Sequence, residues 1–276
     1  MIRLLRCLPI LFFIASCEPD DSPTPPPDQN LYDYRKIKEI RTTSSLSSLP
    51  FETSVQKFEY REDKPYQTTY AVDSTFGIVY QFEYNSQNKI ETIYRLNSEE
   101  INSETGQPVQ AGMNISDSDS LFNITRYTYE DGNLVRISTE DDRNTLNYHL
   151  QNDNGKMVSI EIETIPYNSD VIFDDILFKY NSNENIHEIH RTNEDGATVT
   201  EFQYDDNPNP FYAYYQNFGI LKMQDEGLRD GFASFISSNN IINNWYEVSY
   251  DNRGYPIKLE DNGYGDYRKI VEYMYE

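Results

Sequence analysis

A repeated unit organises this sequence: two aromatic residues two positions apart, a polar turn, and two aliphatic residues three positions apart. The clearest copy spans residues 82–93, with Phe82 and Tyr84 before the turn and Ile90 and Ile93 after it. Residues two apart in a β-strand share a face, so each unit has an apolar side and a polar side. The unit therefore predicts a β-hairpin, and its recurrence predicts an all-β chain.

Further copies follow along the chain. Clear copies begin at Tyr127, Phe178 and Val248, and weaker ones begin at Phe58 and Phe202. With the second ring as the marker, and Leu150 standing in at one copy, most steps are about 23 residues, which suits two strands and two short turns. The spacing predicts an antiparallel meander of hairpins that forms a curved or barrel-like sheet.

The turns and the aliphatic spacing carry further predictions. Asp251 is expected to accept backbone hydrogen bonds at the start of its turn, with Gly254 left-handed three residues later. Asn88 and Asn185 are expected to take the place of Gly254 in their copies. Because strict alternation forbids aliphatic residues three apart on one face, each pair predicts a β-bulge or a strand end buried on both sides.

The N-terminus has the features of an export signal. Residues 1–6 are basic, and the apolar run at residues 8–14 is shorter than the roughly 20 residues of a membrane-spanning helix. Residues 1–16 are therefore predicted to be a signal peptide. Residues 14–17 (Ile-Ala-Ser-Cys) resemble the lipobox of bacterial lipoproteins, which implies that Cys17 carries lipid such as palmitate. The alternative is an ordinary secretory signal with a chance cysteine.

Residues 17–30 are acidic, rich in proline and without large apolar side chains, so they are predicted to form a semi-rigid tether. An acidic stretch directly after the lipid cysteine is similar to the surface-export signal of Bacteroidetes lipoproteins. This similarity implies an outer-membrane protein displayed at the cell surface, although acidity also simply solvates a linker. The only other cysteine, Cys7, would leave with the signal, so no thiol remains for a disulfide, a metal site or a nucleophile.

Residues 31–276 are predicted to form one β-repeat domain with insertions at residues 97–120 and 205–247. Residues 32–40 are expected to form the first strand. Residues 205–210 are expected to leave the sheet because Pro208 and Pro210 cannot donate to a ladder. One short helix is predicted at residues 227–238, where apolar residues recur at nearly helical spacing.

Net charge narrows the range of partners. The formal charge is −23, and loss of residues 1–16 removes Arg3 and Arg6, which makes it −25. So acidic a chain repels nucleic acid and anionic lipid. Nucleic-acid binding is not expected, and contact with a membrane is expected only through the N-terminal lipid.

A resemblance to a known group rests on three features: the repeated Tyr-x-Tyr-Asp/Asn hairpins, the run at residues 204–211, and the ending at residues 250–275. From about Tyr32 onward the chain resembles gut Bacteroidetes lipoproteins with YD-like repeats, similar to those of RHS shells, and a domain of unknown function described as porin-like. The resemblance implies a fold and no activity.

Strand alternation alone fits either a membrane pore or a water-facing sheet. A membrane barrel needs a lipid-facing side free of charge. Here Arg136, Lys156, Arg191 and Lys258 lie close to the turns, and the last residue is Glu276. The sequence therefore favours a soluble, porin-like sheet held by its lipid.

No motif commits the chain to a reaction. His187 and His190 are three apart, so in a regular strand they point to opposite faces, and His149 lies in another hairpin. The acidic clusters suit weak Ca²⁺ binding, a glycosidase pair or simply solvated turns. They are Asp117/Asp119, Glu140/Asp141/Asp142, Asp174/Asp175, Asp205/Asp206 and Asp225/Glu226. None matches a calcium loop, and known catalytic motifs do not occur, so no enzyme activity, metal or cofactor is expected.

The surplus of aromatic residues gives the one functional hypothesis. The chain has 24 tyrosines, and Tyr212, Tyr214, Tyr215 and the lone Trp245 fall outside the regular repeats. Amphipathic rings suit sugar stacking as well as sheet packing. The leading hypothesis is a non-enzymatic surface module that binds a glycan or a protein through the 205–247 insertion. The alternatives are a structural envelope scaffold without a small ligand and, third, a glycan hydrolase.

Overall fold

The computed structural model describes residues 35–46, 52–72, 76–98, 121–140, 144–167, 169–220, 233–242, 246–261 and 267–276. The strands are β1 (Ile37–Leu46), β2 (Glu52–Arg61), β3 (Lys64–Val72), β4 (Phe76–Tyr84), β5 (Ile90–Ser98), β6 (Leu121–Glu130), β7 (Asn133–Glu140), β8 (Asn144–Asp153), β9 (Lys156–Pro166), β10 (Ile172–Tyr180), β11 (Ile186–Asn193), β12 (Gly196–Glu201), β13 (Gln203–Pro208), β14 (Asn239–Ile242), β15 (Tyr246–Tyr250), β16 (Pro256–Asp261) and β17 (Tyr267–Tyr275). Helix α1 spans Pro210–Phe218, and residues 233–236 form a further helical turn.

The strands form one 15-stranded antiparallel sheet and one small ribbon. Along the sheet each strand lies beside its neighbour in sequence, and β1 also pairs with β17. The sheet does not close, because β12 and β15 are its two edges and the ribbon of β13 and β14 is separate. The predicted all-β meander is confirmed. Within the described ranges, no helix is long and apolar enough to cross a membrane.

Aliphatic residues three apart are explained by β-bulges. Between β4 and β5, Tyr84 pairs with Ile90 while Glu83 pairs with Thr92, so Glu91 is an extra residue in the ladder. Because of this extra residue, Ile90 and Ile93 both point to the interior, and both are buried. The corresponding bulged residues in the other hairpins are Tyr66, Val135, Val158, His187 and Ile257.

The turn prediction is correct for Asp251 and wrong for Asn185. The Asp251 carboxylate accepts hydrogen bonds from the backbone N–H groups of Arg253 and Tyr255, at 2.8 and 3.0 Å. Asn88 and Gly254 are left-handed as expected, but in the third copy Glu184 takes that conformation. The left-handed residue comes three positions after the accepting side chain, and in this copy the acceptor is Asn181.

The position of Leu150 in the repeat also needs correction. Leu150 pairs with Ile160, as Phe82 pairs with Ile93, so it stands for the first ring of the unit and not the second. Asn152 takes the place of the second ring, opposite Met157. The polar amide of Asn152 hides this correspondence in the sequence.

In most units the residue at the second ring position donates a hydrogen bond to the backbone carbonyl just before the bulge of the neighbouring hairpin. The Tyr180 hydroxyl donates to the Met157 carbonyl oxygen at 2.6 Å, and Met157 directly precedes the bulged Val158. Asn152 does the same with its amide, which donates to the Leu134 carbonyl at 2.9 Å. The other such pairs are Tyr60 with Ile37, Tyr84 with Pro65, Tyr204 with Ile186 and Tyr275 with Pro256.

The two chain ends together complete one unit. Tyr275 pairs with Ile37 and Tyr273 with Ile40, with Lys38 as the bulged residue. The first strand therefore begins at Ile37, because β17 supplies the rings that were expected from Tyr32 and Tyr34. Those two tyrosines lie outside the described residues, as does most of the 97–120 insertion.

We predict that Tyr180→Phe lowers the free energy of unfolding by about 1–2 kcal/mol, because the Met157 carbonyl then stays buried without its donor. Denaturant unfolding of the full chain measures this change. Tyr167→Phe is the control, since the Tyr167 side chain is 84% exposed. Equal stability of the two variants would contradict a structural role for the Tyr180 hydroxyl.

Candidate functional site

The main sheet is interrupted between β12 and β15, and the chain there forms α1 and the β13–β14 ribbon. Asn209 caps the start of α1 by accepting from the Phe211 N–H at 3.0 Å, Pro210 follows, and Gly219 ends the helix at φ +77°. These are ordinary start and stop signals, so α1 was detectable from the sequence. The prediction placed a helix at residues 227–238 instead. Of that range, residues 233–236 form a helical turn and residues 227–232 lie outside the described residues.

Helix α1 packs on the aromatic face of the sheet. Tyr214 is fully buried, and its hydroxyl accepts from the Ile37 N–H at 2.8 Å and contacts the Tyr60 hydroxyl. The Phe218 ring meets the Tyr84 ring edge-on at 5.9 Å. The Lys89 ammonium donates to the Gln216 carbonyl at 2.5 Å, near the negative end of the helix dipole. Burial lowers the pKa of Lys89.

A buried polar network holds the segment that follows the helical turn at residues 233–236. The Ser237 hydroxyl accepts from the Ile186 N–H at 3.1 Å and donates to the Tyr204 hydroxyl at 2.9 Å. Burial raises the pKa of Tyr204 to about 12. Asn185 is also buried, and its amide donates to the Asn239 side-chain oxygen at 2.8 Å. Asn185 therefore binds the insertion, whereas the sequence suggested a turn residue.

The three described tyrosines among the proposed ligand contacts do not form one exposed cluster. Tyr214 is 0% exposed, so its ring packs the interior and cannot stack on a ligand. Tyr212 and Tyr215 are half-buried, and burial raises the pKa of Tyr215 to about 12. Trp245 lies outside the described residues. The sequence shows that these rings fall outside the repeats, but it does not show which of them the sheet covers.

A cavity of about 320 Å³ lies between the two sheet edges, and we refer to it as the edge cleft. Thr200 on β12 and Val248 on β15 line it from the two edges, and Ile241 on β14 lines it from the insertion. Phe211 and Tyr273 contribute two rings that pack edge to face, with centroids 6.3 Å apart and an interplanar angle of 65°. The cleft therefore offers aromatic and aliphatic surface beside open backbone edges.

Asp205 joins the insertion to the second edge. The Tyr250 hydroxyl on β15 donates to the Asp205 carboxylate, and the Asn240 N–H donates to the same carboxylate at 3.2 Å. Burial raises the pKa of Tyr250, and its bond to the Asp205 anion raises it further. Asp205 therefore serves a structural link, while its neighbour Asp206 is exposed.

Two of the three histidines, His187 and His190, approach the same carboxylate. The bulge at His187 lets both His187 and His190 approach Glu188, at 3.9 and 2.5 Å. Hydrogen bonds from Lys179 and His190 lower the pKa of Glu188 to about 2. His149 lies 3.6 Å from Glu163 in another hairpin. In the part of the chain that the structure describes, no three metal-ligating side chains come together.

The remaining acidic clusters do not form a catalytic pair among the described residues. Asp174 points inward and pairs with Arg191 at 2.6 Å, whereas its neighbour Asp175 is exposed on the other face. Glu140 lies 3.8 Å from Arg126. Six acids of the predicted clusters lie outside the described residues: Asp117, Asp119, Asp141, Asp142, Asp225 and Glu226.

Comparison with known proteins finds a likeness in fold. A porin-like protein from Bacteroides uniformis ATCC 8492 is 14% identical, with a TM-score of 0.54 over 88% of this chain and 99% of that chain. A porin-like protein from Bacteroides vulgatus ATCC 8482 is 12% identical, with a TM-score of 0.39 over the same shares. No family model matches the sequence, and no curated protein does. The chain thus shares the fold of a Bacteroides porin-like protein.

We predict that Gly219→Ala destabilises the chain more than Gly132→Ala. Both glycines are left-handed, at φ +77° and +79°, so both variants carry about 1–2 kcal/mol of backbone strain. Only at Gly219 would the added carbon clash with the Tyr129 hydroxyl, which adds about 1–3 kcal/mol of overpacking.

Denaturant unfolding compares the two variants. Adding Tyr129→Phe to Gly219→Ala is expected to restore part of the lost stability, because the clashing oxygen is gone. Equal losses at both glycines, or no recovery in the double variant, would contradict this contact between α1 and β6.

Proposed function

We propose that this chain is a non-enzymatic, lipid-anchored protein of the outer membrane, displayed at the cell surface, that binds a glycan or a protein in the edge cleft. The observation that carries the proposal is the placement of the cleft. It lies where the hairpin repeat is interrupted, between two strands that lack a neighbour on one side. A scaffold built only from the repeat has no need of such a cavity.

The lining of the edge cleft supports binding of either partner class. Phe211 and Tyr273 are half-buried rings, and rings of this kind stack on sugars or on apolar side chains. Asn209 and Asn240 also line the cleft, where their side-chain amides donate to backbone carbonyls of the insertion. This set replaces the one expected from the sequence, because Tyr214 is committed to the core.

A water-facing exterior is supported by ion pairs on the outer side of the strands. Lys179 and Glu188 lie 2.8 Å apart across β10 and β11, and Arg268 and Glu260 lie 2.9 Å apart across β17 and β16. Charge on an outward face is costly against lipid. These pairs favour a body that stands in water and reaches the membrane through its N-terminal tether.

Two alternatives make different predictions. A structural scaffold leaves the cleft without an occupant, and a glycan hydrolase requires two carboxyls about 5–9 Å apart across one cleft. Glu201 is the one carboxylate among the residues that line the described cavity. This lining favours binding over hydrolysis.

We predict that filling the cleft weakens binding. Thr200→Trp places a large ring in the cavity, whereas Thr198→Trp places the same ring two residues along the strand, away from the lining. Cells that display the full chain are screened on glycan and extracellular-protein arrays. Thr200→Trp is expected to lower the affinity for the ligand by about tenfold or more, whereas Thr198→Trp is expected to change it little. Absence of any wild-type ligand, or equal binding by both variants, would favour the scaffold.

We predict that Cys17→Ser releases the protein from the membrane and ends metabolic labelling with palmitate, because a covalent lipid is then missing. Cys7→Ser is the matched control and is expected to change neither property, since Cys7 lies within the predicted signal. Membrane fractionation and labelling measure both. Retention of Cys17→Ser at the wild-type level would show that another element holds the protein.

A further inference from the structure

On the open side of β12, the backbone groups have no partner strand among the described residues. Its six residues, Gly196–Glu201, are all exposed, and β12 ends the strand order of the sheet. The Phe202 N–H donates to the His187 carbonyl at 2.9 Å. Alternation in an antiparallel ladder then directs the N–H and C=O groups of Thr198 and Thr200 to β11. Those of Ala197 and Val199 point to the open side, where no described strand pairs with them.

This edge lacks the usual protection against pairing. Natural edge strands carry lysine, proline or a bulge that discourages an added strand. β12 contains neither lysine nor proline, its one charged residue is Glu201 at the end of the strand, and its register against β11 is unbroken. The edge is therefore regular enough to accept another strand.

Apolar side chains flank the edge on both faces of the sheet. On the outer face, Val199 is 55% exposed and Leu177 is 48% exposed, and His190 pairs with both. On the inner face, Ile241 and Val248 line the edge cleft. A strand beside β12 would send alternate side chains to these two surfaces.

The charge around the edge selects the kind of strand. Glu194, Asp195, Glu201 and Glu247 are all exposed, and none of them forms an ion pair in the described part of the chain. A cationic segment would neutralise these carboxylates, whereas a second copy would bring the same acids and a net charge of −23.

We propose that the open side of β12 receives an extended, cationic polypeptide segment with apolar residues at alternate positions, which adds a strand to the sheet. Backbone pairing with Ala197 and Val199 gives affinity, and the two apolar surfaces give specificity. This inference rests on the proposed partner-binding function, and it identifies the partner as a protein rather than a glycan. A glycan would use the cleft without the backbone edge.

The test uses fluorescein-labelled Lys-Val-Lys-Val-Lys-Val-Lys and fluorescence anisotropy with the full chain in detergent. The wild type is expected to bind it, and to bind Glu-Val-Glu-Val-Glu-Val-Glu at least about tenfold less well. Val199→Pro removes an N–H that faces the open side and leaves the β11 ladder intact. It is expected to weaken binding by about tenfold, while Val199→Thr, which keeps that N–H, changes it little.

A second measurement does not depend on a folded variant. The lysine–valine peptide with N-methyl groups on its valines keeps charge and side chains but loses alternate donors, and it is expected to bind the wild type about tenfold less well. Equal binding of the methylated peptide, or no binding of the parent peptide, overturns the inference. A ligand that Thr200→Trp blocks and Val199→Pro does not would uphold the proposed function while overturning strand addition.

Discussion

The structure depends on one recurring hydrogen bond. In it, the polar side chain at the second ring position of a unit donates to the backbone carbonyl just before the bulge of the neighbouring hairpin. The bulge is needed because it turns two aliphatic residues three apart toward the same interior. It also interrupts the ladder beside a buried carbonyl, and a buried carbonyl without a donor costs about 1–3 kcal/mol. The Tyr180 hydroxyl supplies the donor in one unit, and the Asn152 amide supplies it in another. This explains why tyrosine is repeated at the second position, whereas phenylalanine suffices at the first.

The same interaction shows where the repeat gives way to the insertion. Tyr250 lies on the edge strand β15 and donates to Asp205 of the β13–β14 ribbon instead of a carbonyl. The Tyr129 hydroxyl is buried against Gly219, at the end of α1, and has no hydrogen-bond partner among the described residues. Helix α1 takes the core face near β1, β2 and β4, while its flanking segments run between the two edges. One departure from the repeat therefore produces both the packing of the interior and the cleft beside it.

Sequence periodicity predicts more of the fold than of the candidate site. Strand direction, hairpin order and the bulges follow from residue spacing. Both the alternation of apolar residues with a period of two and the aliphatic pairs that break it can be recognised in the sequence. The sequence did not show that Leu150 holds the first ring position and Asn152 the second, because the amide of Asn152 does not resemble an aromatic ring. Likewise, nothing in the spacing of Tyr214 distinguishes a ring that fills the interior from one that faces solvent. The cleft involves Thr200, Ile241 and Tyr273, which only the folded chain brings together.

The pairing of β1 with β17 has a consequence for the folding of the chain during its synthesis. Ile37 and Tyr275 stand opposite each other although nearly the whole sequence separates them, so this seam has the longest loop to close. The hairpins can form one after another as local units, but β1 keeps an unpaired edge until the last residues arrive. A ribosome that stops before β17 would therefore release a sheet in which the edge of β1 stays exposed, complementary to β17 of a complete sister molecule.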